Sequence, residues 1–435
     1  MQNLAEVWLW GKQVGALAWE STRANAAFEY TQEWIATAVQ IAPLHMPSNP
    51  NGPRIFQFPQ LNPETYKGLP ACFADTLPDD FGNAVINAWL ARNGRDPSSF
   101  NPLERLLYTG TRGMGALEYA PSLRQPPAGS ARLELESLLH MAQQVLDQRA
   151  GVRSDVSAKD DLSSLLQVGT SAGGARAKAV IAINQDRTEI RSGQVDAPEG
   201  FEHYLLKFDG VIERSSGHET FGDPQGFGRM EYAYYLMALD AGLQMSPCEL
   251  LIEGERAHFL TKRFDRLNNH KLHYQSLCAM DHADYKKPGQ YSYEQVFAVA
   301  RQLRLSRAEA IEIFRRMVFN IVARNHDDHS KNLGFILAGP HSPWRLAPAF
   351  DVAYSYKPGS AWVNAHQLSL NGKRDKFTRT DLLSAAQLIG NFSREAEEII
   401  EQVLAVVSRW KDYARKVAVD KKLAQEIENN LRLDL

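Results

Sequence analysis

Apolar and polar residues alternate at the start of the chain: Val7 and Leu9, then Val14, Ala16 and Leu17 beyond Gly11-Lys12. A period of two belongs to a strand with one buried face, so the spacing predicts a hairpin over 7–10 and 13–19, with a further strand at 27–30. The segment 42–70 is rich in Pro, Asn and Gly and predicts mostly irregular chain. The period then lengthens. Val85, Ile86, Trp89 and Leu90 share one face of a helix expected over 81–93, and a second short helix is expected at 103–108. Gly110-Thr111-Arg112-Gly113-Met114-Gly115-Ala116-Leu117 reads as a glycine turn entering a strand; no Lys-Ser/Thr follows, as a phosphate loop would require. The Pro-rich stretch 121–130 has the composition of a linker, and Leu135, Leu138, Leu139, Ala142, Val145 and Leu146 beyond it fall at helical spacing.

From 160 onward the texture changes. Gly169, Gly173 and Gly174 lie between two strand-like runs, a pattern read either as a mobile hairpin or as a backbone able to approach phosphate oxygens. Lys207 sits among apolar neighbours in a short strand at 203–208, either on the solvated face of an edge strand or as a nucleotide-gripping lysine. Glu231, near the start of a helix at 227–243, is a candidate partner for it. A hairpin follows at 249–264, and the chain after about 275 reads as helical. Ser306 and Glu309 have capping-box spacing and open a helix that ends at Asn325. Further helices are expected at 291–303, 381–388 and 393–417. The basic stretch Lys373-Arg374-Asp375-Lys376, with Arg379, reads as a solvated face or an electrostatic contact.

Chemistry concentrates in Asn325-His326-Asp327-Asp328-His329-Ser330-Lys331-Asn332, a run too polar to be core. Asp327 and Asn332 are five apart, as in the kinase pattern H-R-D-x-x-x-x-N, and Asp351 follows after a short hairpin where kinases carry a second acidic residue. In that reading Asp327 orients an attacking hydroxyl, Lys331 neutralises charge on the moving phosphoryl group, and Asn332 and Asp351 offer oxygen ligands to Mg²⁺. The order of the parts is that of a protein kinase: glycine hairpin, strand lysine, helix glutamate, Asp-x4-Asn loop, later acid. A rival reading takes His326, Asp327, Asp328 and His329 as ligands of a metal hydrolase, but consecutive residues seldom converge on one ion and no H-E-x-x-H helix is present. The bland alternative is a solvated loop. The 435 residues, 44% hydrophobic and 23% charged, can bury a large core. The net charge of -3 argues against a chain-wide nucleic-acid footprint. Cys72, Cys248 and Cys278 lack C-x-x-C spacing and read as buried free thiols in a reducing cytosol. No signal peptide or membrane-length apolar run is seen.

These motifs resemble the HipA family of toxin serine/threonine kinases from bacterial toxin–antitoxin pairs. Phe28-Glu29-Tyr30-Thr31-Gln32-Glu33-Trp34 and Phe73-Ala74-Asp75-Thr76-Leu77-Pro78-Asp79 look like its N-terminal part, and Leu346-Ala347-Pro348-Ala349-Phe350-Asp351 with the 325–332 loop like its catalytic part. The resemblance implies an α+β, protein-kinase-like two-lobe fold. It comprises an added N-terminal subdomain (1–125), a β-rich N-lobe (126–270) and an all-helical C-lobe (271–435). It implies Mg-ATP chemistry with Asp327 and Lys331 catalytic, and Asn332 and Asp351 on the metal. ATP contacts fall on Ser171, Gly173, Gly174, Ala175, Lys207, His329 and the hinge residues Arg263 and Phe264, and inhibitory autophosphorylation falls on Ser171. Before Lys178 the family carries Gln-Glu where this chain has Arg176-Ala177. The resemblance further implies a cytoplasmic protein, a HipB-like helix-turn-helix antitoxin that contacts operator DNA, and an aminoacyl-tRNA synthetase, such as glutamyl-tRNA synthetase, as substrate. A kinase-shaped partner of an antitoxin without catalysis, and a small-molecule kinase, are the alternatives.

Overall fold

The computed structural model describes residues 2–123, 132–149, 176–212, 222–223 and 225–435. The opening alternation becomes a five-stranded antiparallel sheet: β1 (Leu4–Leu9), β2 (Lys12–Glu20), β3 (Asn25–Tyr30), β4 (Ile55–Gln57) and β5 (Leu117–Ala120), in the order β4-β3-β2-β1-β5. Ala5, Val7 and Leu9 are fully buried, as a half-buried strand of period two requires.

A second antiparallel sheet has six strands: β6 (Arg132–Leu133), β7 (Lys178–Asn184), β8 (Ile190–Ser192), β9 (Phe201–Lys207), β10 (Cys248–Glu253) and β11 (Arg256–Lys262). Its order is β10-β11-β9-β7-β8-β6. Three helices matter here: α1 (Asp80–Arg92), α2 (Leu135–Arg149) and α3 (Phe227–Asp240). Phe81, Val85, Ile86 and Leu90 of α1 join Leu138, Ala142 and Leu146 of α2, with Ile181 and Leu206 of the sheet, in one buried cluster.

The part after 271 is not all helical. β12 (His273–Ser276), β13 (Gly334–Leu337) and β14 (Trp344–Leu346) form a three-stranded antiparallel sheet. β12 escapes a hydrophobic pattern because three of its four buried residues, His273, Gln275 and Ser276, are polar and bonded to distant partners. Ser276 donates from N and from Oγ to Asp75, both at 2.7 Å, and His273 Nε2 meets the Ile41 carbonyl at 2.9 Å. Besides a single turn at Leu277–Met280, the helices are α4 (Tyr293–Gln302), α5 (Arg307–Val322), α6 (Arg379–Ala386), α7 (Ser393–Val407), α8 (Trp410–Lys416) and α9 (Lys421–Asn430). The capping box of Ser306 and Glu309 forms as expected. The expected single helix at 393–417 is two, broken at Ser408-Arg409. The break lets Trp410 pack against Tyr234 of α3, ring centroids 5.2 Å apart, and donate from its indole to the Ala424 carbonyl.

The cores do not follow the expected bounds at 125 and 270. The first sheet shares one continuous buried cluster with α3, α4, α5 and α7, from Ala5 to Ile427, while α1, which is also N-terminal, belongs to the core under the six-stranded sheet. The N-terminal 120 residues therefore brace both. All three cysteines are free and buried, and burial raises the Cys248 thiol to about 12, too high for a nucleophile. Among the described residues no helix is long and apolar enough to cross a membrane.

Candidate active site

Lys207 closes β9, which lies between β11 and β7 rather than at an edge, and it is buried. The solvated-face reading of this lysine therefore fails. α3 approaches β11 so closely that a Cβ on Gly228 would lie 1.9 Å from the Ala257 carbonyl oxygen. Only glycine allows that approach, which carries Glu231 to Lys207: Nζ donates to Oε1 at 2.7 Å. Arg176 donates to the same oxygen at 3.0 Å. Lys207 also donates to Asp351 Oδ1. Asp351 has φ of +52°, a left-handed backbone rarely adopted by a non-glycine residue, so its carboxylate is aimed at the lysine by a constrained turn. Burial alone would lower the Lys207 pKa, but Asp351 and Glu231 outweigh it and hold the ammonium charged. Burial alone would raise Asp351; Lys207 and then Lys178 outweigh it and keep the carboxylate ionised well below the usual range.

Lys178 stands directly across from Lys207 in the register of β7 and β9. Its Nζ is 3.4 Å from Asp79 Oδ2, and both side chains are buried. Asp79 is the N-cap of α1, accepting from Gly82 N at 2.6 Å. Burial pushes its carboxyl up to about 6 against the pull of Lys178 and the Gly82 N–H. The N-terminal module thus places a carboxyl beside the lysine row.

The polar run 325–332 alternates in direction. His326 and Asp328 face inward. The His326 ring lies tilted against His366, centroids 4.1 Å apart, and burial, with His366 beside it, lowers its pKa to about 3. Asp328 Oδ2 accepts from the Tyr293 hydroxyl at 2.7 Å and is 2.9 Å from His366 Nδ1, while Oδ1 accepts from Gln367 N at 2.7 Å. Asp327 turns the other way. Its Oδ1 accepts from the Trp362 indole at 2.7 Å and lies 3.7 Å from His329 Nε2. Asn332 donates from its amide to the Asp327 carbonyl at 2.8 Å, fixing the loop's ends together. Lys331 Nζ lies 5.1 Å over the Tyr285 ring. Burial lowers its pKa, but Asp75, Cys278, Tyr285 and Asp79 together raise it, so the ammonium stays charged.

Asn332 and Asp351 line one small cavity of about 30 Å³, together with Asp328 and His329. A larger cavity of about 620 Å³ lies elsewhere, lined by Trp10, Glu118, Asp196, Arg266 and Lys271, and contains none of these residues. Among the described residues no group of three or more His, Cys, Asp or Glu could hold a metal, so the hydrolase reading of 326–329 has no geometric support. The Arg263 guanidinium is engaged by Asp265, at 2.8 and 2.6 Å, and its backbone N–H donates to the His203 carbonyl at 2.9 Å. Phe264 packs on Phe350, centroids 5.7 Å apart. Ser171, Gly173, Gly174 and Ala175 lie outside the described residues. The sequence reading gave no site role to Asp79 or Trp362, named Lys178 only as the lysine that ends the glycine-rich motif, and named Asp328 only as a ligand in the rival hydrolase reading. Asp79, Lys178 and Asp328 had a signal in their motifs, but what each of them faces is set by strand register and loop path, and Trp362 had no signal at all.

A model of the HipA-like C-terminal domain matches residues 170–410, and a model of the HipA N-terminal domain matches residues 5–120. In solved structures, the chain is similar to HipA in the complex of the Shewanella oneidensis MR-1 toxin–antitoxin system HipA, HipB and its operator DNA. The identity is 15%, the TM-score 0.66, and the match covers 98% of this chain and 94% of that one. A second match is the Helicobacter pylori proinflammatory kinase CtkA, with 15% identity, TM-score 0.32, and coverage of 52% of this chain and 92% of that one. A search of curated sequences finds no match.

Proposed function

The chain belongs to the HipA family, and from that premise we propose that it is an ATP-dependent protein serine/threonine kinase of a toxin–antitoxin pair. The observation that carries this reading is Lys207 held between Glu231 and Asp351, with Asp351 and Asn332 lining one cavity. That is the charge arrangement phosphoryl transfer needs, since the reaction depends on positioning and neutralisation more than on covalent help. The amide oxygen of Asn332 and the ionised carboxylate of Asp351 are hard donors that fit Mg²⁺. When bound at Asn332 and Asp351, the ion would supply positive charge that neutralises charge developing in the reaction. Lys207 must exchange its contact with Asp351 for a phosphate oxygen while keeping Glu231. Lys178, beside it, adds a second ammonium to the same strand pair. Asp327 orients the acceptor hydroxyl and takes its proton, and Lys331 stabilises the transferring group.

Regulation and partners belong to the same reading. A phosphate on Ser171, of charge about -1.5 to -2, would draw the glycine stretch toward nearby cations and away from a nucleotide pose. A HipB-like helix-turn-helix antitoxin is the proposed partner, with DNA engaged through it, by analogy with the Shewanella assembly of HipA, HipB and operator DNA. An aminoacyl-tRNA synthetase, such as glutamyl-tRNA synthetase, is the proposed substrate, in the cytoplasm. Phosphate transfer from labelled ATP to proteins of a cell extract, followed by mass spectrometry, tests the reading. Asp327→Asn should reduce transfer by about 10²-fold or more, and Asp351→Asn should abolish Mg-ATP binding by calorimetry. Undiminished transfer in both variants would rule the reading out. Ser171→Ala should remove self-incorporated phosphate.

A further inference from the structure

We propose that Trp362 is a positioning residue that fixes the Asp327 carboxylate for the acceptor hydroxyl. The inference rests on the kinase reading above and adds a residue which that reading does not require. The Trp362 indole N–H donates to Asp327 Oδ1 at 2.7 Å. The Asp327 side chain is 35% exposed, and its Oδ2 accepts no hydrogen bond among the described residues. A free carboxylate can rotate to offer either oxygen. With Oδ1 held by the indole, Oδ2 is the oxygen presented outward, toward an incoming hydroxyl.

The indole is itself held in place. Ser360 Oγ accepts from the backbone N–H of Trp362 at 3.2 Å and of Val363 at 3.3 Å, closing a turn at the loop tip. Gly359 N donates to Asn364 Oδ1 at 2.9 Å, and the Gln367 side-chain amide donates to the Trp362 carbonyl. Tyr285 and His329 flank the indole edge-on, with centroids 6.3 and 6.1 Å away. The stem of the same loop is anchored by Asp328, through His366 and Gln367 N. Two consecutive acids of the catalytic run thus grip one loop at two points, Asp328 at its base and Asp327 at its tip. The chain between Asp351 and the stem is therefore registered to the base by a direct hydrogen bond. Misplacement of a reacting group by about 1 Å can cost about 10²-fold in rate, so this contact is worth testing on the rate itself.

The test uses full-length protein, with Trp362→Phe keeping the ring and removing the N–H, and Trp362→Ala removing both. Phosphate transfer to protein acceptors gives kcat, and calorimetry gives the Kd of Mg-ATP. The inference expects both variants to lose about ten-fold or more in kcat with Mg-ATP affinity within about two-fold of wild type. If Phe restores the wild-type rate while Ala does not, the ring acts by packing and the positioning role is overturned. Loss of Mg-ATP affinity in step with kcat would overturn it equally, since the loop and not the base would then be at fault. A wild-type chain that transfers no phosphate would remove the kinase reading, and this inference with it, which sets that failure apart from the others.

Discussion

Asp79 is a carboxyl whose energetics can be read by titration. Its folded pKa, raised by burial to about 6 from the ordinary 3.8, means that the folded chain holds the proton more tightly than the unfolded one. The stability this adds is fully present below about pH 4 and is lost as pH rises through 6, up to on the order of 3 kcal/mol. Asp79→Asn should therefore flatten the pH dependence of Tm across that window, and the gap between wild type and variant should change most from pH 4 to 6. Identical pH profiles would show that the carboxyl titrates normally. At this scale the sequence is informative where spacing along the chain carries the chemistry, as for Asp327 and Asn332. It is silent where the chemistry depends on register. Lys178 and Lys207 are 29 residues apart in number and face each other only because β7 and β9 pair at that point. Trp362 lies in a loop with no period at all.

Helix α3 shows how one element sets the site. Its N-terminal turn rests on β11 at Gly228, and Glu231 follows one turn later. Gly228→Ala must push helix and strand apart, because the obstructing atom is backbone. We expect a loss of about 1–3 kcal/mol and weaker Mg-ATP binding, as Glu231 withdraws from Lys207; urea unfolding and calorimetry measure the two. Normal affinity in a destabilised variant would show that Glu231 can follow the lysine. Helix α5, which delivers the catalytic run, begins at the Ser306 cap, and Ser306→Ala should lower stability by about 1 kcal/mol without altering transfer. Elements with caps and a clear period were legible from sequence: the first hairpin, α1, α4 and α5 fall within a few residues of their expected bounds. β12 was not, since most of its side chains are polar and their partners lie some two hundred residues away. Nor was the break between α7 and α8, where tertiary packing of Trp410 overrides a continuous helical period.

Across the whole molecule, the N-terminal module is joined to the rest by buried charge as well as by apolar contact. Asp265 is fully buried, accepts from Gly115 N at 2.8 Å, and pairs with Arg263 and Arg266, while Arg266 donates to the carbonyls of Gly113 and Gly115. Burial would raise its pKa, but the two arginines outweigh it and hold the carboxylate ionised. Asp265→Asn should leave two guanidinium groups poorly compensated and cost about 3–5 kcal/mol, read as a shift in the urea midpoint. The mixed α and β content was legible in the periods along the chain, whereas the way one module seals two cores had no signature in any single stretch. That sealing bears on how the protein is made. β1 and β2 belong to the same continuous buried cluster as Ile427, which is synthesised roughly four hundred residues later. At about 5–20 residues per second, that cluster takes on the order of tens of seconds to be completed. The part of that cluster laid down early therefore stays incomplete while the rest is made, and until then depends on whatever holds exposed strands apart in the cell.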